Sequence, residues 1–233
     1  MSKKSSRFLN ILVSIAIVLF SLLGSVHFWS FNEDFYTKQH SKLTLYGKSI
    51  AEHIGISEDD LKELTHFTLE YLNDPNRDLE LQMSVRGLKR EIFTDDEKAH
   101  MVDVRRLNIT ANFLIIISAE IIFFGVVFRI FKRKSFYPLF KEYKNVLLGC
   151  LCFFGVLSMW ILIDFDSFWI SFHHLFFPGN DLWILDLRKD ILIMIVPPQF
   201  FNNLVIRIVT TFFVLIIGSY FVLKYLSKVK TND

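Results

Sequence analysis

Hydrophobic positions along the chain gather into four long stretches separated by polar segments. The first, Phe8 to Phe28, runs 21 residues without a charge, and a helix needs about 20 to cross a hydrocarbon core. Stretches of similar character occupy 107–131, 146–163 and 204–223. Each predicts a spanning helix. Lys3, Lys4 and Arg7 ahead of the first stretch would also suit a secretory signal. The run, however, is longer than the roughly 7–15 residues of such an apolar core, and Ser25-Val26-His27-Phe28 makes a poor small-x-small cleavage site. An uncleaved helix is expected, and four spans put both termini on one side.

The polar segments carry patterns of their own. Ser57-Glu58-Asp59-Asp60 followed by Leu61, Leu64, Phe67 or Thr68 and Leu72 reads as an N-capped amphipathic helix with acids in its first turn. A preceding helix is expected through Leu43, Tyr46, Ile50 and Ile54, ended by Gly55, and Asn73-Asp74-Pro75-Asn76 is a turn. Leu79, Leu81, Met83 and Val85 alternate with polar residues, the period of a half-buried strand that needs a partner from a short hairpin or from the other outer segment. In that other segment Ile191 to Val196 is apolar but too short to span and is broken by Pro197-Pro198, which predicts an interfacial or re-entrant piece. Its dense Phe, Trp and His suit a lipid–water boundary, and the same rings would also wall a slot for acyl chains. The expected class is all-α: a polytopic membrane protein, one domain, four transmembrane helices and a small, mostly helical extracellular cap with a possible short β element.

Composition narrows the classes further. At 52% hydrophobic, 26 Phe and only 9 Gly and 5 Pro, the chain is neither disordered nor of low complexity. Cys150 and Cys152 stand two residues apart inside an apolar run and make neither a disulfide framework nor a zinc site. A net charge of +2 excludes a strongly basic nucleic-acid binder.

The distribution of charge is more informative than its sum. Lys3, Lys4 and Arg7 precede the first span; Arg129, Lys132, Arg133, Lys134, Lys141 and Lys144 surround the second connection; Lys224, Lys228 and Lys230 follow the last span. By the positive-inside rule 1–7, 132–145 and 224–233 are expected to be cytoplasmic. Residues 29–106 hold 11 Lys/Arg against 16 Asp/Glu, and 164–203 hold two against five, so both are expected outside.

No GxSxG elbow, phosphate-binding glycine loop or HExxH occurs. Glu120, about halfway along the second span, is a functional candidate by position, with a protonated or inter-helix hydrogen-bonded carboxyl as its structural reading; no role is read for it or for Arg207. His27, His40, His53 and His66 are isolated and read as surface or packing residues. His100 differs. On a short helix Glu97 and Asp103 fall three residues to either side of it, on its own face, and a neighbouring carboxylate raises an imidazole's basicity as a general base requires. His173 and His174 stand in the other outer segment, so both segments bring histidine to one depth. A paired-histidine site, unrelated surface histidines, and a metal site with Asp103 or Asp181 as third ligand all remain open on spacing alone.

Phe93-Thr94, Glu97, His100-Met101 and Asp103-Val104 in the first outer segment form one motif. Phe172-His173, Phe176-Phe177, Asp181, Trp183 and the Pro-Phe-Phe-like ending before the last span form the other. Together they resemble the lipoprotein intramolecular transacylase family over nearly the whole chain. The resemblance implies an enzyme of the bacterial plasma membrane with its active site at the outer leaflet. Its substrate is a lipoprotein whose N-terminal cysteine bears a diacylglyceryl thioether. The implied reaction moves the sn-2 acyl chain onto the free α-amine to give the lyso form. It implies His100 and His173 as catalytic, with His174 the competing register. Beside it, Glu97, Asp103, Asp181 and Trp183 read as supporting or positioning residues, and one histidine, oriented by Glu97 or Asp103, is expected to take the amine proton. No cofactor, metal or nucleic acid is called for; the partners are the lipoprotein and membrane lipid. A non-enzymatic envelope sensor or partner-binding protein and a metal-dependent lipid hydrolase are the alternatives.

Overall fold

A computed structural model describes residues 3–228. The termini expected to be cytoplasmic are therefore described only in part, and Lys230 lies outside the described residues. In chain order come α1 (Lys3–Ser30), α2 (Glu33–His40), β1 (Thr44–Leu45), β2 (Lys48–Ser49), α3 (Ile50–Ile54), α4 (Glu58–Asn73), β3 (Gln82–Val85) and β4 (Leu88–Glu91). Then follow α5 (Asp95–Phe131), α6 (Tyr137–Ile163), α7 (Phe165–Phe176), α8 (Ile191–Ile195) and α9 (Pro198–Leu226).

Helices α1, α5, α6 and α9 are long and apolar enough to cross a membrane, which makes this a multi-pass integral membrane protein. With 37 residues, α5 is about 55 Å long against a hydrocarbon core of about 30 Å. Its polar first turns, Asp95 to Arg106, therefore precede the apolar stretch rather than belong to it. The chain divides into two compact units; one is made of Phe28–Thr110 and Asp166–Ile206, the other of the remaining described residues.

The second of these, the helix unit, packs around Val13, Leu139, Tyr143, Phe212 and Ile216. Lipid supplies no hydrophobic drive for helix pairing, so close approach and internal polar bonds hold such helices together. Both devices are present. A Cβ on Gly125 would meet Val13 Cγ2 at 2.5 Å, so α1 and α5 approach there because Gly125 has no side chain. The Tyr143 hydroxyl donates to the Ile216 carbonyl at 2.8 Å and lies 2.6 Å from Ser219 Oγ. Arg129 donates to the Asn10 amide oxygen, and Arg7 Nε donates to Glu142 at 3.1 Å. Glu120 is exposed.

The loop unit corrects two expectations. The helix expected from Leu43 begins only at Ile50, because Tyr46 and Gly47 take φ of 51° and 81° and fold the preceding residues into the β1–β2 hairpin. Positive φ at both turn residues matches the twist of the flanking strands. Arg86 and Gly87 repeat this, so the β3 alternation finds its partner locally in β4, and Ile92 N extends the ladder to the Leu81 carbonyl at 2.9 Å. The second correction concerns Ile191 to Val196. Rather than facing lipid, Ile191, Leu192, Met194 and Ile195 are buried with Ile50, Ile54, Leu61 and Leu64 of α3 and α4. An apolar run of this length is satisfied by a protein core as fully as by a bilayer. As expected, α4 is closed at its start by a capping box between Ser57 and Asp60.

Candidate active site

The site is built from the first turns of α5 and from α7 with the turn after it. Thr94 and Glu97 start α5 with a capping box: Glu97 Oε2 accepts from Thr94 N at 2.7 Å, and Thr94 Oγ1 accepts from Glu97 N at 3.3 Å. Glu97 is 0% exposed, and its other oxygen accepts from Leu192 N, the first turn of α8, at 2.7 Å. Burial pushes its carboxyl up, against the pull of the Thr94 and Leu192 bonds, and Asp190 adds to the rise. Asp103 accepts from Asn180 Nδ2 at 3.1 Å and from Arg106 at 3.3 Å. Both carboxylates thus tie α5 to the segment between α6 and α9. Neither hydrogen-bonds His100, contrary to the orienting role expected for them; each instead accepts from a donor brought in by the fold, 77 and 95 residues away.

His100 and His173 are brought together, both nearly buried at 8% and 6% exposure, with ring centroids 6.3 Å apart. His173 Nδ1 donates to the Trp169 carbonyl one turn back on α7 at 2.8 Å, which leaves its Nε2 as the lone-pair nitrogen. His100 Nδ1 is buried without a partner. Aromatic rings close around the pair: Phe177 lies 5.4 Å from His100 and 5.7 Å from His173, Trp169 lies edge-on to His173 at 4.7 Å, and Trp183 stacks on it at 4.7 Å and 27°. In this setting burial pulls the His100 imidazole down to about 4, with His173 adding to the effect and Asp103 opposing it. Burial lowers His173 too, against its bond to the Trp169 carbonyl, and His174 adds to the lowering. Both rings are therefore neutral at neutral pH, the form a general base needs.

The remaining candidates stand further off. His174 is exposed and meets only the edge of Trp183 at 5.4 Å. Asp181 is exposed, and its carbonyl accepts from Ile184 N at 3.0 Å, a turn contact. Among the described residues no three His, Cys, Asp or Glu side chains are grouped to hold a metal. His40 and His53 donate to the carbonyls of Ile195 and Leu187, and His66 pairs with Glu33.

Sequence reasoning passed over Asn180, whose amide links Asp103 to Leu182 N and so sets the turn that carries Trp183. Its signal was the Pro178-Gly179-Asn180 cluster: Gly179 adopts φ of 86° in the turn that follows α7. It also passed over Trp169, whose contribution is a backbone carbonyl and leaves no mark in residue type.

Four spanning helices and a buried histidine pair in an aromatic surround define a multi-pass membrane protein. The sequence matches the family model described as "Lipoprotein intramolecular transacylase Lit" over residues 11–201. The chain belongs to that family, and it is an acyltransferase. Its fold is similar to the in meso structure of the membrane integral lipoprotein intramolecular transacylase Lit from Bacillus cereus, with a TM-score of 0.79 and 20% identity over 97% of this chain and 98% of that one. Two in meso structures of the Bacillus cereus protein with one histidine replaced are similar as well. The arginine variant has a TM-score of 0.72 over 97% and 93% of the two chains, and the alanine variant 0.73 over 97% and 94%, both at 20% identity. At this identity the likeness is one of fold. No curated protein matches the sequence.

Proposed function

We propose that this protein transfers the sn-2 acyl chain of a diacylglyceryl-modified bacterial lipoprotein onto that lipoprotein's own N-terminal cysteine amine, giving the lyso form. Membership of the transacylase family supports the substrate class. The observation that carries the chemistry is the buried His100–His173 pair, one nitrogen of which is already committed to the Trp169 carbonyl.

That commitment supports a division of labour. His173 Nε2 takes the proton of the attacking amine and returns it to the departing glycerol oxygen. His100, across the site, serves the developing oxyanion or the leaving oxygen. Donor ester and acceptor amine belong to one molecule, so holding them in line is worth about 7–11 kcal/mol of barrier. No protein nucleophile is required. Asp103, through Asn180, and Glu97, through Leu192, act as positioning residues that hold α5 against the segment carrying His173. The excess of Lys and Arg beside the termini and the second connection supports cytoplasmic termini and a site at the outer leaflet of the plasma membrane.

The test is mass spectrometry of one lipoprotein's N-terminal peptide from cells expressing the wild type or His100→Ala. The expected product, an amide-linked acyl chain beside a monoacylglyceryl thioether, forms only with the wild type. Unchanged diacylglyceryl peptide in both, with the protein present in the membrane, overturns the reading.

A further inference from the structure

We propose that the Trp183 indole N–H is a catalytic hydrogen-bond donor to the carbonyl oxygen of the reacting ester. This rests on the acyl-transfer reading above and adds a third group to the site.

Trp183 Nε1 is buried and has no partner. An indole nitrogen donates and cannot accept, so only an acceptor satisfies it, and leaving such a donor unpaired in a folded protein costs about 1–3 kcal/mol. Among the described residues none accepts from it. Asn180, three residues earlier, uses its oxygen on Leu182 N and its nitrogen on Asp103. His173 offers Trp183 its ring face at 4.7 Å and 27°, and His174 lies edge-on at 5.4 Å and 85°; neither supplies a hydrogen bond.

The position of this donor is set by the same elements that set the histidines. The Asp103–Asn180 bond ties the turn before Trp183 to the helix that carries His100, one turn earlier on α5. The stack on His173 places the indole beside the ring that takes the proton. A donor held in an aromatic, water-poor site strengthens its bond as charge develops on the acceptor, the condition for lowering a barrier rather than merely binding substrate.

The step balances without another reactant. The neutral amine nitrogen bonds the ester carbonyl carbon, its proton passes to His173 Nε2, and the carbonyl oxygen, taking the π electron pair, accepts from Trp183 Nε1–H. On collapse the carbon–glycerol oxygen bond breaks and the imidazolium returns the proton to that oxygen.

The experiment uses the full-length protein in lipid with a synthetic diacylglyceryl lipopeptide. Trp183 is replaced by Phe, and separately by benzothienylalanine, which keeps the bicyclic stack and exchanges N–H for sulfur. In both, kcat is expected to fall about 10²–10³-fold with KM nearly unchanged. Melting temperature should not fall in the benzothienylalanine protein, since no bond within the protein is lost, whereas a structural tryptophan would lose stability. Full kcat in the benzothienylalanine protein, with His100→Ala inactive, overturns the proposal and leaves the acyl-transfer reading standing. A wild type that does not convert the lipopeptide overturns both.

Discussion

The two segments that meet at the site deliver the same side chain by opposite means. α5 is a 37-residue helix closed at its start by the Thr94–Glu97 box, and it presents His100 with no hydrogen bond to Nδ1. α7 is a 12-residue helix ending at Phe176, and it presents His173 with Nδ1 held by its own backbone and Trp183 on its face. A long, well-capped helix fixes where a residue is, but only a hydrogen bond fixes which nitrogen carries the proton. The comparison therefore assigns orientation to His173 and adaptability to His100. The carboxylates that flank His100 in sequence serve the joint between the segments and leave the imidazole to its packing.

The largest effect that would sharpen this contrast is at the second segment. His173→Ala should lower transfer about 10²–10⁴-fold, the usual worth of a positioned general base, while His174→Ala stays within a few-fold of wild type on the same lipopeptide. Equal losses in both would break the assignment to His173. Next comes the joint. Glu97→Ala leaves Leu192 N and Thr94 N without their acceptor in a buried setting, and should cost about 3 kcal/mol of stability, read as a fall in melting temperature. Asp59→Ala, on an exposed carboxylate of α4 paired only with Lys62, provides the comparison and should be nearly silent.

The smallest expected effect is electrostatic. His100 folds with its pKa lowered from 6.5 to about 4, so the unfolded chain binds the proton first as pH falls. Its share of stability is complete above about pH 6.5 and is lost progressively down to about pH 4. His100→Asn should therefore show a shallower decline of melting temperature across that window than the wild type. Identical slopes would place His100 in contact with water.

Much of this was legible in the sequence, and the reasons differ by element. The four spans rest on length and composition, which a bilayer enforces regardless of neighbours. The N-cap at Ser57 and the alternation through Val85 are local signals; the cap appears where the residues put it, and the strand forms over the second half of the alternation, from Gln82. The Tyr46-Gly47 turn was misread because the apolar positions at Leu43, Tyr46, Ile50 and Ile54 keep a helical spacing that the turn overrides. Ile191 to Val196 was misread because periodicity cannot tell a protein core from a lipid surface; only the packing of α8 beside α3 and α4 decides that.

The same division holds at the site. Residue type and spacing alone make His100 and the His173-His174 pair candidates, place Glu97 and Asp103 one turn either side of His100, and make the chain a multi-pass membrane protein; the family resemblance is what singles out His173. Only the tertiary structure decides that the two rings stand 6.3 Å apart, that Glu97 and Asp103 bind Leu192 and Asn180 instead of His100, and that Trp183 lies on His173 with its N–H unmatched. The physical reason is one of range. Helix periodicity and hydropathy act within a few turns, whereas hydrogen-bond partners 77 or 95 residues apart are chosen by the fold that brings them together.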